Sequence, residues 1–508
     1  MLTIGELVRH NQRYWAERTA YVDGRRRTTW SEFGVRTDAL GRALREMGVG
    51  VGDRLGMLAP DSTEIAELFV ACAKIGAVRV GYNHRLSVGE VAQLVDDSEP
   101  AVLFVHQDYE DLAQQPLERA ACLPRVVMFG GGDTEYEELI ARHTSHEQLE
   151  MTPAELLMIC YTTGSTGLPK GALYTHQNVL RSMLHIALCE GAAQDDVWMH
   201  TMPAGGVPIL HLCRNLYHGS TMVILGKWDP ERALDLIARE RITRTVLVPT
   251  MLTSLLNSAS AGRTDTSSIR QLEYGASPLP PAIIRQAVEL FRCPFLQMYG
   301  TTELTGMASM LFPADHELGM RSDPEILASA GRPLPYVETK FVAEDGVEVP
   351  VGEIGELAVR SDLVIPGYWR APEKYDEVVR EGWLYTGDLG RRDERGFLYL
   401  VDRKKFRIKS GGYNIYPVEV ENVLAEHPAV REVCVVGVPD DRWGERVHAV
   451  VVLRDDTTVG PEQLIDFCRG NIAHFKAPKS VDVWTELPKG ATGKIQKRAV
   501  LDRVVHGV

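Results

Sequence analysis

The chain has 508 residues, 44% of them hydrophobic and 24% charged, with a formal net charge of −14. That length exceeds a single hydrophobic core and implies two or more domains, while the composition is that of a soluble globular protein. An acidic chain with no long Lys/Arg stripe is a poor nucleic-acid binder, and no apolar run of 18 residues is present to span a membrane.

Residues 1–20 lack a secretory apolar core. Thr28-Thr29-Trp30 opens a capped amphipathic helix predicted over 28–45. Short β-rich runs follow, among them Arg54–Leu58, Ala101–Val105, Thr221–Leu225 and Thr245–Pro249, and helical stretches alternate with them. Such alternation predicts an α/β fold with parallel sheets flanked by helices. The eight cysteines form no C-x-x-C pair and mostly sit in apolar runs, which suits buried free thiols in a reducing compartment, the cytoplasm.

The densest signal is Tyr161-Thr162-Thr163-Gly164-Ser165-Thr166-Gly167-Leu168-Pro169-Lys170-Gly171. Leu156–Cys160 before it is an apolar run of strand length, and Asn178-Val179-Leu180 after it looks helical. Glycines expose backbone N–H groups that can wrap an anion, the hydroxyls add donors, and Lys170 adds charge. No glycine immediately precedes Lys170, so the loop departs from the mononucleotide P-loop pattern. A plain Gly/Ser/Thr surface turn is the alternative reading.

Further along, Pro294–Met298 runs into Tyr299-Gly300-Thr301-Thr302-Glu303. A carboxylate there suits Mg²⁺ or, equally, a helix N-terminus. Between about 335 and 400 short strands separated by Gly and Pro predict an antiparallel sheet or small barrel. Ile365-Pro366-Gly367-Tyr368 is read as one of these strands, and Asp388 is placed in a turn after Gly382–Tyr385, where an Asx turn competes with a ligand role. The mix of helix and strand resumes after Lys405. Residues 406–508 hold fourteen basic and fourteen acidic side chains, so the acidity lies before them. The domain boundary is set at 402, giving domains 1–402 and 403–508.

These motifs, with Asp402-Arg403-Lys404-Lys405, Gly411-Gly412-Tyr413-Asn414-Ile415-Tyr416-Pro417 and Gly493-Lys494, resemble in order those of the adenylate-forming superfamily. The resemblance spans nearly the whole chain. It implies a large N-terminal domain and a small mobile α+β C-terminal one, with a hinge at Lys405. It also implies ATP, Mg²⁺ and coenzyme A. Thr162, Thr163, Ser165, Thr166 and Lys170 would hold phosphates; Gly275, Ala276, Ser277, Tyr299, Gly300 and Thr301 would border the nucleotide. Thr302 would contact the α-phosphate, Glu303 would hold Mg²⁺, Asp388 and Arg403 would take the ribose, and Lys494 would bridge substrate carboxylate and α-phosphate. Gly412, Trp443, Phe475 and Lys476 match positions near coenzyme A.

By alignment, Ala204, His211, Tyr274 and Met307 would line the acid pocket, with no fixed charge. Thr201–Leu210 has no acidic residue, which argues against an amino-acid substrate, and Gly205-Gly206 stand where many ligases carry an aromatic–His pair. The implied activity is an AMP-forming fatty or aromatic acid–CoA ligase acting on small molecules. The alternative is an acyl-AMP ligase loading a carrier protein, although no insertion between Tyr385 and Gly412 blocks rotation. A homodimer stays open.

Overall fold

The computed structural model describes residues 3–24, 26–119, 124–131, 134–143, 148–152, 155–162, 169–277, 279–454, 457–490 and 494–506, with the side chains of 115–119 and 405 left aside. Among the described residues four sheets form, and the architecture is α/β. The first runs Arg125–Phe129, Val102–His106, Arg54–Ala59, Val78–Asn83, Leu156–Tyr161, Gly171–Thr175. Its strands are parallel except the last, which is antiparallel to Leu156–Tyr161. The helix predicted over 28–45 spans Trp30–Glu46, and its capping box is the reciprocal pair Thr29 and Glu32.

The glycine-rich loop therefore joins two hairpin strands and does not open a helix. The helix begins at His176, with Thr175 as its cap. The second sheet has a parallel centre, in the order Phe295–Tyr299, Gln271–Gly275, Arg244–Leu247, Val197–His200, Thr221–Ile224, Thr19–Val22. One continuous apolar core, from Ile4 to Leu398, packs these two sheets with their helices. None of the described helices is long and apolar enough to cross a membrane.

The third sheet is antiparallel, as expected for 335–400, and includes Glu338–Val342, Gly355–Arg360, Trp383–Arg392 and Leu398–Arg403. Two expectations fail there. Asp388 lies inside the long strand Trp383–Arg392, paired with Arg403, and Gly387 beside it takes φ +74. A left-handed glycine marks an irregular strand as readily as a turn, which is what misled the reading. Ile365–Tyr368 is no strand but a strap that touches strand Gly171–Thr175 through a single bridge, Ala172 to Tyr368.

The fourth sheet holds Ile408–Ser410, Tyr413–Ile415, Val430–Asp440, Gly444–Leu453 and Ser480–Trp484. Alternate residues of its long hairpin fill opposite faces: Val447, Ala449 and Val451 pack with Leu424 and Leu464, and Val450 and Val452 with Leu487 and Val500. Lys497 of the last helix lies 3.2 Å from Asp402 and 3.0 Å from Glu421, tying this unit to the strand before it.

Candidate active site

The chemistry-bearing residues gather at the strand ends of the second sheet. Gly275 ends its strand where a β-carbon would come 2.4 Å from the Met298 carbonyl, so only glycine lets the neighbouring strand approach. Ala276 follows at φ +72, a strained region for a non-glycine residue. Ser277 continues this turn. Gly300 is similarly required, because its β-carbon would lie 2.2 Å from the Gly306 carbonyl as the turn folds back. Thr301 Oγ1 is buried there without a partner among the described residues.

Two polar clusters face each other across this end. In the first, the Tyr299 hydroxyl donates to Asp388 Oδ2 at 2.6 Å, and Arg403 Nε sits 2.9 Å from Asp388 Oδ1. Burial, then the Asp388 charge, pushes the Tyr299 phenol well up, so it stays a donor. Lys494, from the C-terminal unit, is near enough to feel both Arg403 and Asp388. Desolvation, with Arg403, lowers its pKa, and Asp388 partly opposes this.

In the second cluster, the Tyr368 hydroxyl donates to Glu303 Oε1 at 2.8 Å, and the Lys170 ammonium sits 5.1 Å from the Tyr368 ring centre. Tyr174 donates to the Thr302 carbonyl at 2.7 Å. The strap that carries Tyr368 is stitched at both ends, Ile365 N to the Glu303 carbonyl at 2.9 Å and Trp369 N to the Gly171 carbonyl at 2.7 Å. Sequence reasoning missed Tyr368 and Tyr174; the Gly367-Tyr368 pair was visible but was spent on a strand. Thr162 closes the base of the loop, its N–H donating to the Lys170 carbonyl at 2.9 Å. Thr163, Ser165 and Thr166 lie outside the described residues.

Behind the 299–307 turn, a small cavity of about 20 Å³ is lined by Ser182, Met183, Ile186, Ala187, Val207, Leu210, His211, Arg214, Thr305 and Met307. Of the expected pocket residues His211 and Met307 line it. Ala204 does not; its amide donates to Asp61 at 2.7 Å and its carbonyl accepts from the buried Arg79. Nor does Tyr274, whose hydroxyl pairs with His316 at 2.9 Å in the core. Arg214, which the sequence reading did not flag, also lines this cavity. Its guanidinium is 2.7 Å from Glu273 and 2.9 Å from Glu190.

The glycine pair divides. A β-carbon at Gly205 would meet the Asn83 backbone at 2.8 Å, whereas one at Gly206 would meet nothing closer than Pro208 at 4.0 Å.

Family models match almost end to end: the AMP-binding enzyme model over residues 8–369 and the AMP-binding enzyme C-terminal domain over 419–494. The chain belongs to the AMP-binding enzyme family. It is 35% identical over 497 residues to the indoleacetate–CoA ligase of Aromatoleum aromaticum, covering 96% of both chains. It is 32% identical over 484 residues to the fatty acid–[acyl-carrier-protein] ligase ScoC of Streptomyces coeruleorubidus, covering 94% of this chain and 92% of that one. The anthranilate CoA ligase AuaEII, solved with anthranoyl-AMP, superposes with a TM-score of 0.92 at 26% identity, covering 100% of this chain and 98% of that one.

In this AMP-binding enzyme the remaining expected positions form a separate group on the fourth sheet. Trp443 lies over Gly411, whose β-carbon would meet its ring at 2.8 Å, and Gly412 takes φ +85. Phe475 stacks on Tyr413 at 4.6 Å between centres, and Lys476 pairs with Glu419 at 2.8 Å. The backbone of Lys405 lies in the short turn Lys404–Phe406 between the third and fourth sheets. Among the described residues no three or more His, Cys, Asp or Glu side chains cluster as a metal cage.

Proposed function

We propose that this chain is an ATP-dependent acid–CoA ligase. The acid carboxylate attacks the α-phosphorus of ATP, a new P–O bond forms, and pyrophosphate leaves. The coenzyme A thiol then attacks the acyl carbonyl, losing its proton, and AMP departs. The observation that carries this reading is the pairing of Tyr299 and Arg403 on Asp388, together with Tyr368 on Glu303, at the strand ends of the second sheet.

The roles follow from charge. The adenylation reactants are anionic, so cations and donors at the phosphates lower the barrier. Lys494 offsets charge on carboxylate and α-phosphate together. Asp388 and Arg403 receive the ribose, and Tyr299 offers its ring to adenine. Thr162, Lys170, Thr302 and the hydroxyls of the loop hold phosphate oxygens. Glu303, with one oxygen taken by Tyr368, has the hard carboxylate oxygen that Mg²⁺ prefers. One carboxylate with phosphate oxygens fits Mg²⁺, which would neutralise phosphate charge.

Lys405 is proposed as the pivot between domains 1–402 and 403–508, withdrawing Lys494 and presenting the Gly412, Trp443, Phe475 and Lys476 group to coenzyme A. Free buried cysteines support a reducing, cytoplasmic setting. The carrier-protein alternative draws support from the similarity to ScoC. Pyrophosphate release measured across aliphatic and aryl acids, with and without coenzyme A, tests the reading. Thioester formed only with a carrier protein would favour the alternative, and no acid-dependent release would overturn both.

A further inference from the structure

Helix Val88–Ser98 packs on the first sheet. Val91, Leu94 and Val95 bury its apolar side in a core that Tyr161 and Trp369 also join. Near its end, Asp97 accepts two hydrogen bonds from far along the chain. Its carboxylate takes the Tyr161 hydroxyl, 64 positions on, and its carbonyl takes the Trp369 indole N–H at 2.9 Å, 272 positions on.

These partners bracket the glycine-rich loop. Tyr161 ends the strand that enters it, and Gly171 opens the strand that leaves it. The Trp369 backbone N–H donates to the Gly171 carbonyl at 2.7 Å, and the Leu173 N–H donates to the Gly367 carbonyl at 3.1 Å. A β-carbon at Gly171 would come 3.1 Å from Trp369 Cβ and 2.7 Å from the Ile159 side chain, so the missing side chain admits the strap. One aspartate therefore holds both ends of the loop, the first directly and the second through Trp369.

The strap carries Tyr368 next to Trp369. Tyr368 donates to Glu303, and the Lys170 ammonium lies over its ring. A shift of Trp369 would move both partners of Tyr368 together. Burial, then the hydrogen bond and charge of Asp97, raises the Tyr161 phenol well above its ordinary value and keeps it a donor. The neighbouring Arg370–Glu99 pair, 2.5 Å apart, is about half exposed on both sides and contributes little. Groups that bind a polyanion work best when placed in advance, and a misplacement of about 1 Å costs about 10²-fold in rate.

We propose that Asp97 is a positioning residue for the nucleotide: through Tyr161 and Trp369 it fixes Thr162, Lys170 and the Tyr368–Glu303 pair relative to one another. This rests on the ligase reading above and extends it to a residue outside the reacting groups.

The test measures the Kd of ATP–Mg²⁺ by calorimetry, with KM for ATP and for the acid from pyrophosphate release, and Tm beside them. The full-length parent is compared with Asp97→Ala, Asp97→Asn, Tyr161→Phe and Trp369→Phe. Tyr161→Phe removes one hydroxyl at constant shape, so it folds if the parent does. Kd and KM for ATP should rise about tenfold in Asp97→Ala and Tyr161→Phe, the scale of one hydrogen bond to a charged group. They should rise severalfold in Trp369→Phe, while KM for the acid stays within twofold. Asp97→Asn keeps a side-chain acceptor and should recover most of the loss. Asp97→Ala combined with Tyr161→Phe should bind ATP no more weakly than Asp97→Ala alone, because both remove the same bond. An ATP Kd within twofold of the parent in Asp97→Ala and Tyr161→Phe overturns the proposal. So do equal rises in KM for ATP and acid alongside a lower Tm, which would make Asp97 a packing residue. The binding measurement needs no turnover. If the parent binds ATP, with the expected losses in the variants, but releases no pyrophosphate with any acid, the ligase reading falls and the role of Asp97 stands. A parent that binds no ATP–Mg²⁺ overturns both.

Discussion

The two ends of the site are built on opposite plans. At the nucleotide end the titratable groups are paired to one another: Tyr299 and Arg403 on Asp388, Tyr368 on Glu303. In the cavity behind the 299–307 turn the wall is mixed, with Met183, Ile186 and Leu210 beside Arg214, and His211 Nδ1 and Thr305 Oγ1 are buried without partners among the described residues. The first plan pre-arranges charge for a ligand that every family member shares. Substitutions at the two places should therefore act differently.

The largest effect is expected from Lys494→Ala. Adenylation from acid plus ATP should fall by about 10²–10³, as for loss of a single transition-state donor, while thioester formation from supplied acyl-AMP stays within severalfold. Equal losses in both half-reactions would deny Lys494 its separate role. Lys405→Pro fixes φ and removes a donor at the proposed pivot. Adenylate should still form, and thioester formation should fall by about 10², the scale of misplaced reacting groups. Single-turnover assays of each step give the answer.

The glycine pair offers a smaller contrast in stability. Gly205→Ala forces a β-carbon against the Asn83 backbone, and should cost about 1–3 kcal/mol, read as a lower Tm. Gly206→Ala should leave Tm nearly unchanged; similar shifts for both would mean the close approach relaxes freely. Tyr368→Phe removes one hydrogen bond to Glu303 and should cost about 1 kcal/mol, seen as a severalfold higher Mg²⁺ requirement. An unchanged Mg²⁺ titration would make Tyr368 a packing residue.

The gentlest test is pH. The role proposed for Lys494 requires its cation, and its pKa is lowered by desolvation and Arg403. Adenylation should be full below that lowered pKa and lost as pH rises through it. The alkaline limb should therefore fall below the ordinary lysine value of about 10.4. Lys494→Arg should move that limb upward while reducing the rate at neutral pH. A limb that does not move would assign the titration to another group.

The same contrast explains what could be read from the sequence. The fold was legible because strand-length apolar runs, such as Val102–His106 and Thr221–Ile224, alternate with amphipathic helices. The candidate nucleotide residues could be named because they lie in short contiguous motifs, and the structure brings Tyr299, Asp388 and Arg403 together. Asp388 was assigned to the right motif but to the wrong local structure, since Gly387 serves a strand irregularity and a turn alike. Tyr368 was seen without its purpose, because the hydrogen bond to Glu303 spans 65 positions of sequence. Arg214 and Thr305 were out of reach: nothing local reveals that one guanidinium is spoken for by two distant glutamates, or that one threonine takes φ +60.

The pair of contacts made by Lys497 has a mechanical corollary. Its ammonium bridges Asp402, on the last strand before the proposed pivot, and Glu421, on the first helix of the C-terminal unit. A contact close to an axis of rotation travels little while the rim sweeps far, as a rivet stays put when scissors open. Lys494 is three residues along the chain, about 10 Å at most when extended, so under the proposed rotation the Lys497 contacts limit how far it can withdraw.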